Sequence, residues 1–472
     1  MHTPDLAYTP AWRLREMILA RQISPVEVTR FFLQRIERLN PRLNAYLTVT
    51  AQEALAQARQ AEEKVMRGEA LGLLHGLPVS VKDLIPTQGI RTTFGSLAFQ
   101  TYIPTQDAVV VERVKRAGGI ILGKTNTSEL GLGAETINRL GGPCGNPWDP
   151  SRTAGGSSGG AASAVAAGLG PLAIGSDGGG SIRIPAAMCG VFGFKPSRGR
   201  IPRTGGIGRP VSNLYSHIGP LTWTVKDAAL LMQALSGYDA RDVYALRGAV
   251  PDFLGGLEGG VRGLRIAWSA TLGYAAVDPE VEQVCRSAAQ VFGDLGAVVD
   301  EPPLRLEHPF PYFLPLYHAM WFAAYGHLLA EQGALLAPET RTRIAHGSQV
   351  TIPQYLTALR QMEQMAQQMD DILERYDLLL TPTVAVPAFP HGQRPTRIAG
   401  QEVDPIFGFY PFTALCNMTG QPAASVPCGF SREGLPIGLH IIGRRNEDTL
   451  VLRAAYALEQ ARPWQGRRPP LA

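Results

Sequence analysis

Two glycine-rich segments, each carrying serine, are the strongest candidates for a functional site in this 472-residue chain. The first is GGSSGG at residues 155–160, and the second is DGGGSIRIP at residues 177–185. Glycine lets a ligand approach bare backbone amides, and N–H groups converging where a loop enters a helix are a natural binder of an oxyanion. Either run alone is typical of a tight turn. Two serine-bearing runs, joined by one predicted helix and one predicted strand, indicate a functional site.

Lys82 is the best candidate for a base because it ends the apolar run at residues 77–81. A lysine accepts a proton only when neutral, which requires its pKa to fall from about 10.4 to near 7 or 8 and costs about 4 kcal/mol. Burial at a strand end favours that fall, whereas an arginine would keep its proton. The chain has only six lysines among 44 basic residues. For Lys64 and Lys115 the alternative of a surface lysine stays open.

The segment GGIILGKT at residues 118–125 satisfies the P-loop pattern. A working P-loop follows a strand and wraps phosphate with exposed amides, whereas residues 120–122 have the pattern of a buried strand that follows a helix. The context therefore favours a strand edge, with Lys124 solvated or paired.

A match to the nucleophile elbow of α/β-hydrolases is centred on Ser158. That elbow must follow a hydrophobic strand, and the residues at 151–154 do not form one. His440 lies on an apolar run, where a histidine is more often a satisfied core residue than a base. The elbow interpretation is therefore disfavoured.

The elements around these residues alternate between helix and strand patterns, which predicts an α/β sheet. Strand patterns recur after a linker candidate at 237–263, so we expect strands from both halves of the chain to form one large sheet. One predicted helix begins at Ser24 with a capping box and ends at 40–41, a second runs from Thr50 toward Arg67, and a third follows an Asp107 cap. The other predicted helices lie at 160–168, 224–235, 279–292, 311–333, 353–376 and 447–461. Predicted strands lie at 77–81, 120–122, 172–175, 191–194, 264–268, 378–380, 424–426 and 439–442.

Composition excludes several classes of protein. Hydrophobic residues make up 45% and charged residues 18%, which excludes a disordered chain. The net charge is +4 with scattered basic residues, so nucleic acid is not an expected partner. Five cysteines without CxxC spacing argue against a disulfide framework and a zinc cluster and favour a reducing cytoplasm. No signal peptide is visible, and the apolar stretch 161–174 is too short to span a bilayer, so no membrane association is expected.

Residues 155–186 resemble, position for position, the signature of the amidase signature family of serine hydrolases. The resemblance implies the family's α/β fold, a large mixed β-sheet sandwiched between helices (α/β/α), and no metal or organic cofactor. It also implies a single domain over 1–472, with a catalytic core at 75–200 and a helical, cleft-lining insertion at 300–376. Further matching blocks lie at 75–83, 123–126, 146–150 and 420–443.

Carried over by position, the resemblance makes Ser181 the nucleophile, Ser157 a bridging serine and Lys82 the general base. It implies a cis peptide bond before Ser157. The implied oxyanion hole consists of the N–H groups of Gly178, Gly179, Gly180 and Ser181. The implied supporting residues are Ser158, near the lysine, and Asp177 with Arg183, which we expect to brace the nucleophile loop as an ion pair.

The implied reaction is hydrolysis of the C–N bond of a small carboxylic amide through an acyl-enzyme on Ser181. The alternative is the glutaminase subunit of a tRNA-dependent amidotransferase, which resembles this chain but carries an aspartate where Tyr410 stands here. An aromatic residue suits an apolar or aryl substrate better than a zwitterion. We therefore expect a stand-alone amidase, monomer or homodimer, with Gly131, Leu132 and Tyr410 on the substrate wall. The aromatic cluster at 310–325 is either core or part of that wall.

Overall fold

A mixed β-sheet of eleven strands runs through the protein, whose computed structural model describes residues 5–205 and 214–471. The strands are β1 (Tyr46–Val49), β2 (Pro78–Lys82), β3 (Ile120–Thr125), β4 (Ile137–Asn138), β5 (Gly142–Pro143), β6 (Gly145–Asn146), β7 (Asp149–Thr153), β8 (Leu172–Asp177), β9 (Phe192–Lys195), β10 (His217–Thr222), β11 (Arg265–Trp268), β12 (Val298–Asp300), β13 (Leu378–Pro382), β14 (Arg397–Ile398), β15 (Gln401–Glu402), β16 (Ala423–Phe430) and β17 (Pro436–Gly443). The large sheet has the order β1-β3-β2-β8-β10-β9-β16-β17-β13-β11-β12, and the remaining strands form two-stranded ribbons. Strands from both sides of the 237–263 segment enter it, which confirms the prediction of one large mixed sheet.

Helices cover both faces of this sheet. On β17, the Cβ position of Gly438 lies against Ala187, and that of Gly443 lies against Val451 on the opposite face. The predicted α/β/α arrangement is therefore confirmed. The helices are α1 (Ala11–Leu19), α2 (Pro25–Leu43), α3 (Ala51–Arg67), α4 (Val109–Arg116), α5 (Gly159–Ala166), α6 (Arg183–Cys189), α7 (Val225–Leu235), α8 (Pro279–Asp294), α9 (Phe310–Glu331), α10 (Pro338–His346), α11 (Ile352–Arg375), α12 (Thr413–Thr419) and α13 (Asp448–Ala461).

The parallel pairing of β2 with β8 brings the two predicted halves of the site together. Val81 is in register with Ile174, so both strands end at the same edge of the sheet. Lys82 ends β2 and Asp177 ends β8, immediately before the second glycine run. The first glycine run enters α5, which packs on β8. Two loops far apart in sequence therefore converge on the end of β2.

The predicted helix caps have different outcomes. The helix after Thr50 runs to Arg67 as predicted, although the Thr50 hydroxyl donates to Ile121 O and does not cap it. Ser24 caps α2 in the predicted capping box, although the helix continues past Pro41 to Leu43. The Asp107 cap is wrong, because its carboxylate accepts hydrogen bonds from Gln88 N and Lys115 Nζ and α4 begins at Val109. Within the described residues, no helix is both long and apolar enough to cross a membrane.

We predict that Gly160→Ala destabilises the protein, because α5 approaches the sheet edge too closely for a side chain at this position. An added Cβ would lie 2.5 Å from Ala45 O and closer still to Asn126 N, both rigid backbone atoms. Overpacking of this kind costs about 1–3 kcal/mol or more. Urea unfolding should show a lower midpoint for the variant.

Gly293→Ala is the matched control, since Gly293 also lies in a helix but has nothing within 4 Å of its Cβ position. Alanine there should raise the free energy of unfolding by about 0.5–1 kcal/mol. Equal effects of the two substitutions would contradict the close approach of α5.

Candidate active site

The amino group of Lys82 is fully buried and lies among oxygen atoms of the first glycine-rich segment and of strand β8. Nζ donates to Ser157 Oγ at 2.7 Å, to Ser158 Oγ at 2.8 Å and to the Ser176 carbonyl oxygen at 3.3 Å. Burial lowers the pKa of Lys82 well below its usual value, and the Asp177 carboxylate opposes that shift only in part. The lysine is therefore placed and tuned to exchange a proton with a serine hydroxyl.

A backbone hydrogen bond joins the two glycine-rich loops, since Ser158 N donates to Ser181 O at 3.1 Å. The peptide bond between Gly156 and Ser157 is cis, as the resemblance implies. At Gly156 an added Cβ would lie 2.6–2.8 Å from backbone atoms of Glu135. Only glycine fits this close approach of two backbones, and the packing fixes where Ser157 stands.

Asp177 and Arg183 form a fully buried ion pair beneath the loop that carries Ser181, as expected. Arg183 Nε and Nη2 each donate to a different Asp177 oxygen at 3.0 Å. The same carboxylate accepts Gly180 N at 2.7 Å, Ile182 N at 3.1 Å and Asn417 Nδ2 at 2.9 Å. Burial alone would raise the pKa of Asp177, but Arg183 and Asn417 more than reverse this and hold it below its usual range.

One predicted oxyanion donor is already engaged within the protein. The Gly180 N–H donates to Asp177, so its assignment to the oxyanion hole is corrected. Among the described residues, the N–H groups of Gly178, Gly179 and Ser181 make no hydrogen bond. The carboxylate draws one amide inward and leaves its neighbours as the available donors.

Ser157 and Ser181 lie on the wall of one cavity, and a second cavity adjoins it at Ser181. The predicted wall residues Gly131, Leu132 and Tyr410 all line this second cavity, and Gly131 also lines the first. The first cavity is further lined by Leu84, Ile85, Pro86, Ala108, Leu130, Ser176, Gly178, Arg203, Thr204, Gly205, Ser216, Ile218, Tyr317 and Trp321. The second is further lined by Gly133, Ala134, Gly179, Ile184, Phe313, Tyr317, Arg343 and Phe407.

The aromatic cluster divides between core and cavity. Phe313, Tyr317 and Trp321 of α9 line the cavities, while Phe310 of the same helix packs in the main core. Sequence reasoning missed Arg343, which reaches the second cavity from α10. Nothing in its local sequence distinguishes it from a surface arginine, since the fold alone brings α10 to the loop that carries Leu132.

Lys124 and His440, the residues on which the two disfavoured interpretations depend, are both buried and hydrogen-bonded within the protein. Lys124 is fully buried in β3, paired rather than solvated, and residues 120–122 belong to that strand as predicted. His440 is buried in β17 with Nε2 3.0 Å from Arg183 Nη1, as expected of a core histidine. Over residues 5–205 and 214–471, no group of three or more His, Cys, Asp or Glu side chains could hold a metal ion.

Comparison with known proteins agrees with this geometry. The family model called Amidase matches residues 27–452. The chain belongs to the amidase signature family. An acylamidase of Rhodococcus erythropolis is 37% identical over 479 residues, covering 99% of this chain and 98% of that protein. A glutamyl-tRNA(Gln) amidotransferase subunit of Moorella thermoacetica is 38% identical over 498 residues, covering 99% of each.

A solved structure of a bacterial aryl acylamidase, described as an amidase signature enzyme, superposes with a TM-score of 0.91. It is 34% identical and covers 97% of each chain. The predicted family, fold class and amidase-type enzyme are therefore confirmed. Because these amidase signature relatives bear names for different reactions, family membership alone does not decide the substrate.

We predict that Asp177→Asn strongly destabilises this amidase signature enzyme. The substitution keeps the shape of the side chain but leaves the Arg183 guanidinium buried without its countercharge, which costs about 3–5 kcal/mol. Urea unfolding followed by circular dichroism should measure the loss.

Asp370→Asn is the matched control, because Asp370 pairs with Arg445 where the two side chains are 36% and 45% exposed. An exposed pair contributes about 0–1 kcal/mol. Similar losses in both variants would contradict a special role for the buried pair.

Proposed function

We propose that this enzyme hydrolyses the C–N bond of small carboxylic amides, preferably apolar or aryl amides and anilides, through an acyl-enzyme on Ser181. The observation that carries the proposal is the buried Lys82 amine, which contacts Ser157 at 2.7 Å beside the cavity that Ser157 shares with Ser181. A lowered pKa favours the neutral amine, which can act as a general base toward the adjacent serine hydroxyl.

In the proposed reaction, Lys82 takes the proton of Ser157 while Ser157 takes that of Ser181. Ser181 Oγ then attacks the amide carbonyl carbon and forms a tetrahedral oxyanion. The proton returns through Ser157 to the leaving nitrogen, the C–N bond breaks, and the amine departs. Water, deprotonated by the same route, attacks the ester and releases the carboxylic acid and Ser181.

The N–H groups of Gly178, Gly179 and Ser181 are the proposed stabilisers of the oxyanion. Removing a single such donor typically reduces turnover by about a hundredfold to a thousandfold. Asp177 holds the loop in place from below through its bond with Gly180 N. The donors are thus oriented before substrate arrives, which is the condition for electrostatic stabilisation of the transition state.

The composition of the cavities supports an apolar or aryl substrate. Phe313, Phe407 and Tyr410 line the second cavity and Trp321 lines the first, so aromatic surface faces both sides of Ser181. Flat apolar walls stabilise an aryl or alkyl group by excluding water. Esters and carbamates present a comparable carbonyl, and we include them as secondary substrates.

Glutamine hydrolysis is the second candidate, favoured by the relatives named as glutamyl-tRNA(Gln) amidotransferase subunits and by the guanidinium of Arg343 in the second cavity. An arginine there could pair with a substrate carboxylate. However, Arg343 Nη2 already donates to Glu339 at 2.6 Å, and Tyr410 offers no charge to an ammonium group. The aryl amide is therefore the better supported substrate.

We predict that the purified chain, without any partner subunit, hydrolyses anilides and aryl amides faster than glutamine. The measurement is a screen of amides, anilides, carbamates, esters and glutamine by product release. Ser181→Ala should reduce every detected activity by more than about a thousandfold, since it removes the nucleophile.

Ser163→Ala is the matched control, because Ser163 is buried in α5 and donates to Gly145 O at 2.9 Å, outside both cavities. It should keep nearly full activity. Activity retained in Ser181→Ala would end the proposal, and robust glutaminase activity without anilide turnover would reverse the order of the two candidates.

We predict that kcat/KM rises with pH through the pKa of Lys82 and then reaches a plateau. Lys82 works only when neutral, so activity is lost as the pH falls below its folded pKa. Since burial places this pKa well below 10.5, the plateau should be reached at a lower pH than an exposed lysine would require. Lys82→Arg should lose activity by more than about a hundredfold at every pH, because guanidinium keeps its proton. A profile unchanged by Lys82→Arg would exclude the lysine as the base.

A further inference from the structure

A second buried lysine lies on the strand beside Lys82. In the parallel pairing of β2 with β3, Lys124 is in register with Val81, and Lys82 is in register with Thr125. Successive residues of a strand face opposite sides of the sheet. The amino groups of Lys82 and Lys124 therefore lie on opposite faces, and Lys124 takes no part in the contacts around Ser157.

All three donors of the Lys124 ammonium are used within one short segment. Nζ donates to the carbonyl oxygen of Ile85, to Thr87 Oγ1 at 2.8 Å and to Thr92 Oγ1 at 3.1 Å. An ammonium has three N–H groups, so the match is complete. Burial lowers the pKa of Lys124 to about 8, against the opposing effect of Asp83.

The segment held in this way is a loop at residues 83–94, whose ends Asp83 ties together. Asp83 O accepts Phe94 N at 3.1 Å, and its carboxylate accepts Thr93 N at 2.9 Å. Asp83 N donates to Thr125 O at 3.0 Å and anchors the loop to β3. The loop thus begins one residue after Lys82 and has Lys124 bound in its interior.

The same loop forms one wall of the cavity that contains Ser157 and Ser181. Leu84, Ile85 and Pro86 all line that cavity. Neither Lys124 nor its two threonine partners are among the residues that line it. Lys124 therefore lies behind this wall and does not line the cavity.

We propose that Lys124 is a positioning residue, which holds the 83–94 loop so that residues 84–86 form a fixed wall for the substrate. This inference rests on the proposed amide hydrolysis. It also explains the GGIILGKT segment without a nucleotide, because the Lys124 amino group is enclosed by its own chain. Hydrogen bonds to a charged group are strong enough to keep such a loop in one conformation.

The test compares Lys124→Met, which keeps the length of the side chain but has no donors, with Lys64→Met, a change at an exposed lysine. For an anilide that fills the cavity, kcat/KM relative to that for acetamide should fall about tenfold in Lys124→Met, because the loss of all three hydrogen bonds frees the wall against which the anilide packs. The loss should lie mainly in KM, since Lys82 and Ser181 stay in place. Lys64→Met should leave the ratio unchanged.

Hydrogen exchange of the two variants supplies a readout that does not need turnover. Peptides covering residues 84–93 should exchange faster in Lys124→Met than in Lys64→Met, with unchanged exchange in α8. If Lys124→Met does not fold, the double variant Thr87→Val with Thr92→Val removes two of the three acceptors and should shift both readouts in the same direction.

Three results would overturn the inference: an unchanged anilide-to-acetamide ratio, unchanged exchange in the loop, or ATP binding by the wild type that Lys124→Met abolishes. If the wild type hydrolyses none of the amides, the proposed function fails, and faster or unchanged exchange at 84–93 still decides the role of Lys124.

Discussion

The removal of the Lys82 amino group from water is the constraint on which the site depends. A buried ammonium is costly, so the group must either find oxygen atoms or lose its proton. Here it contacts the hydroxyls of Ser157 and Ser158 from the loop before α5 and the carbonyl oxygen of Ser176 from β8. That loop can come this close because glycine replaces any side chain where Gly156 meets the backbone of Glu135. The contacts of the Lys82 amino group therefore depend on the close backbone packing that glycine allows.

A buried ion pair, separate from Lys82, shapes the loop that carries Ser181. Asp177 and Arg183 lie below the loop that carries Ser181, and the carboxylate accepts hydrogen bonds from the amides of Gly180 and Ile182. Removing either partner would leave an uncompensated buried charge, so both charges are needed for the loop to keep this shape. The loop geometry is therefore set by the protein interior, and Gly178, Gly179 and Ser181 of this loop line the cavities.

Much of the cavity wall comes from parts of the chain outside residues 155–186. Helix α9 contributes aromatic rings, α10 contributes Arg343, and the 83–94 loop contributes an apolar wall. Lys82 and Lys124 are both fully buried but have different hydrogen-bond partners. One contacts serines that face the cavity, whereas the other has its donors consumed by a loop. Reactivity follows from what each amino group touches, not from burial alone.

The sequence by itself determined the features that depend on neighbouring residues: the Ser24 capping box, the apolar strand that ends at Lys82, and the glycine runs with their serines. These are local because capping, periodicity and backbone freedom act within a few residues. Only the tertiary structure decided that Asp177 takes the Gly180 amide, that Asp107 does not cap α4 and that Arg343 reaches the cavity. Each outcome depends on partners distant in sequence or on a competition between donors for one acceptor, and spacing along the chain cannot decide either.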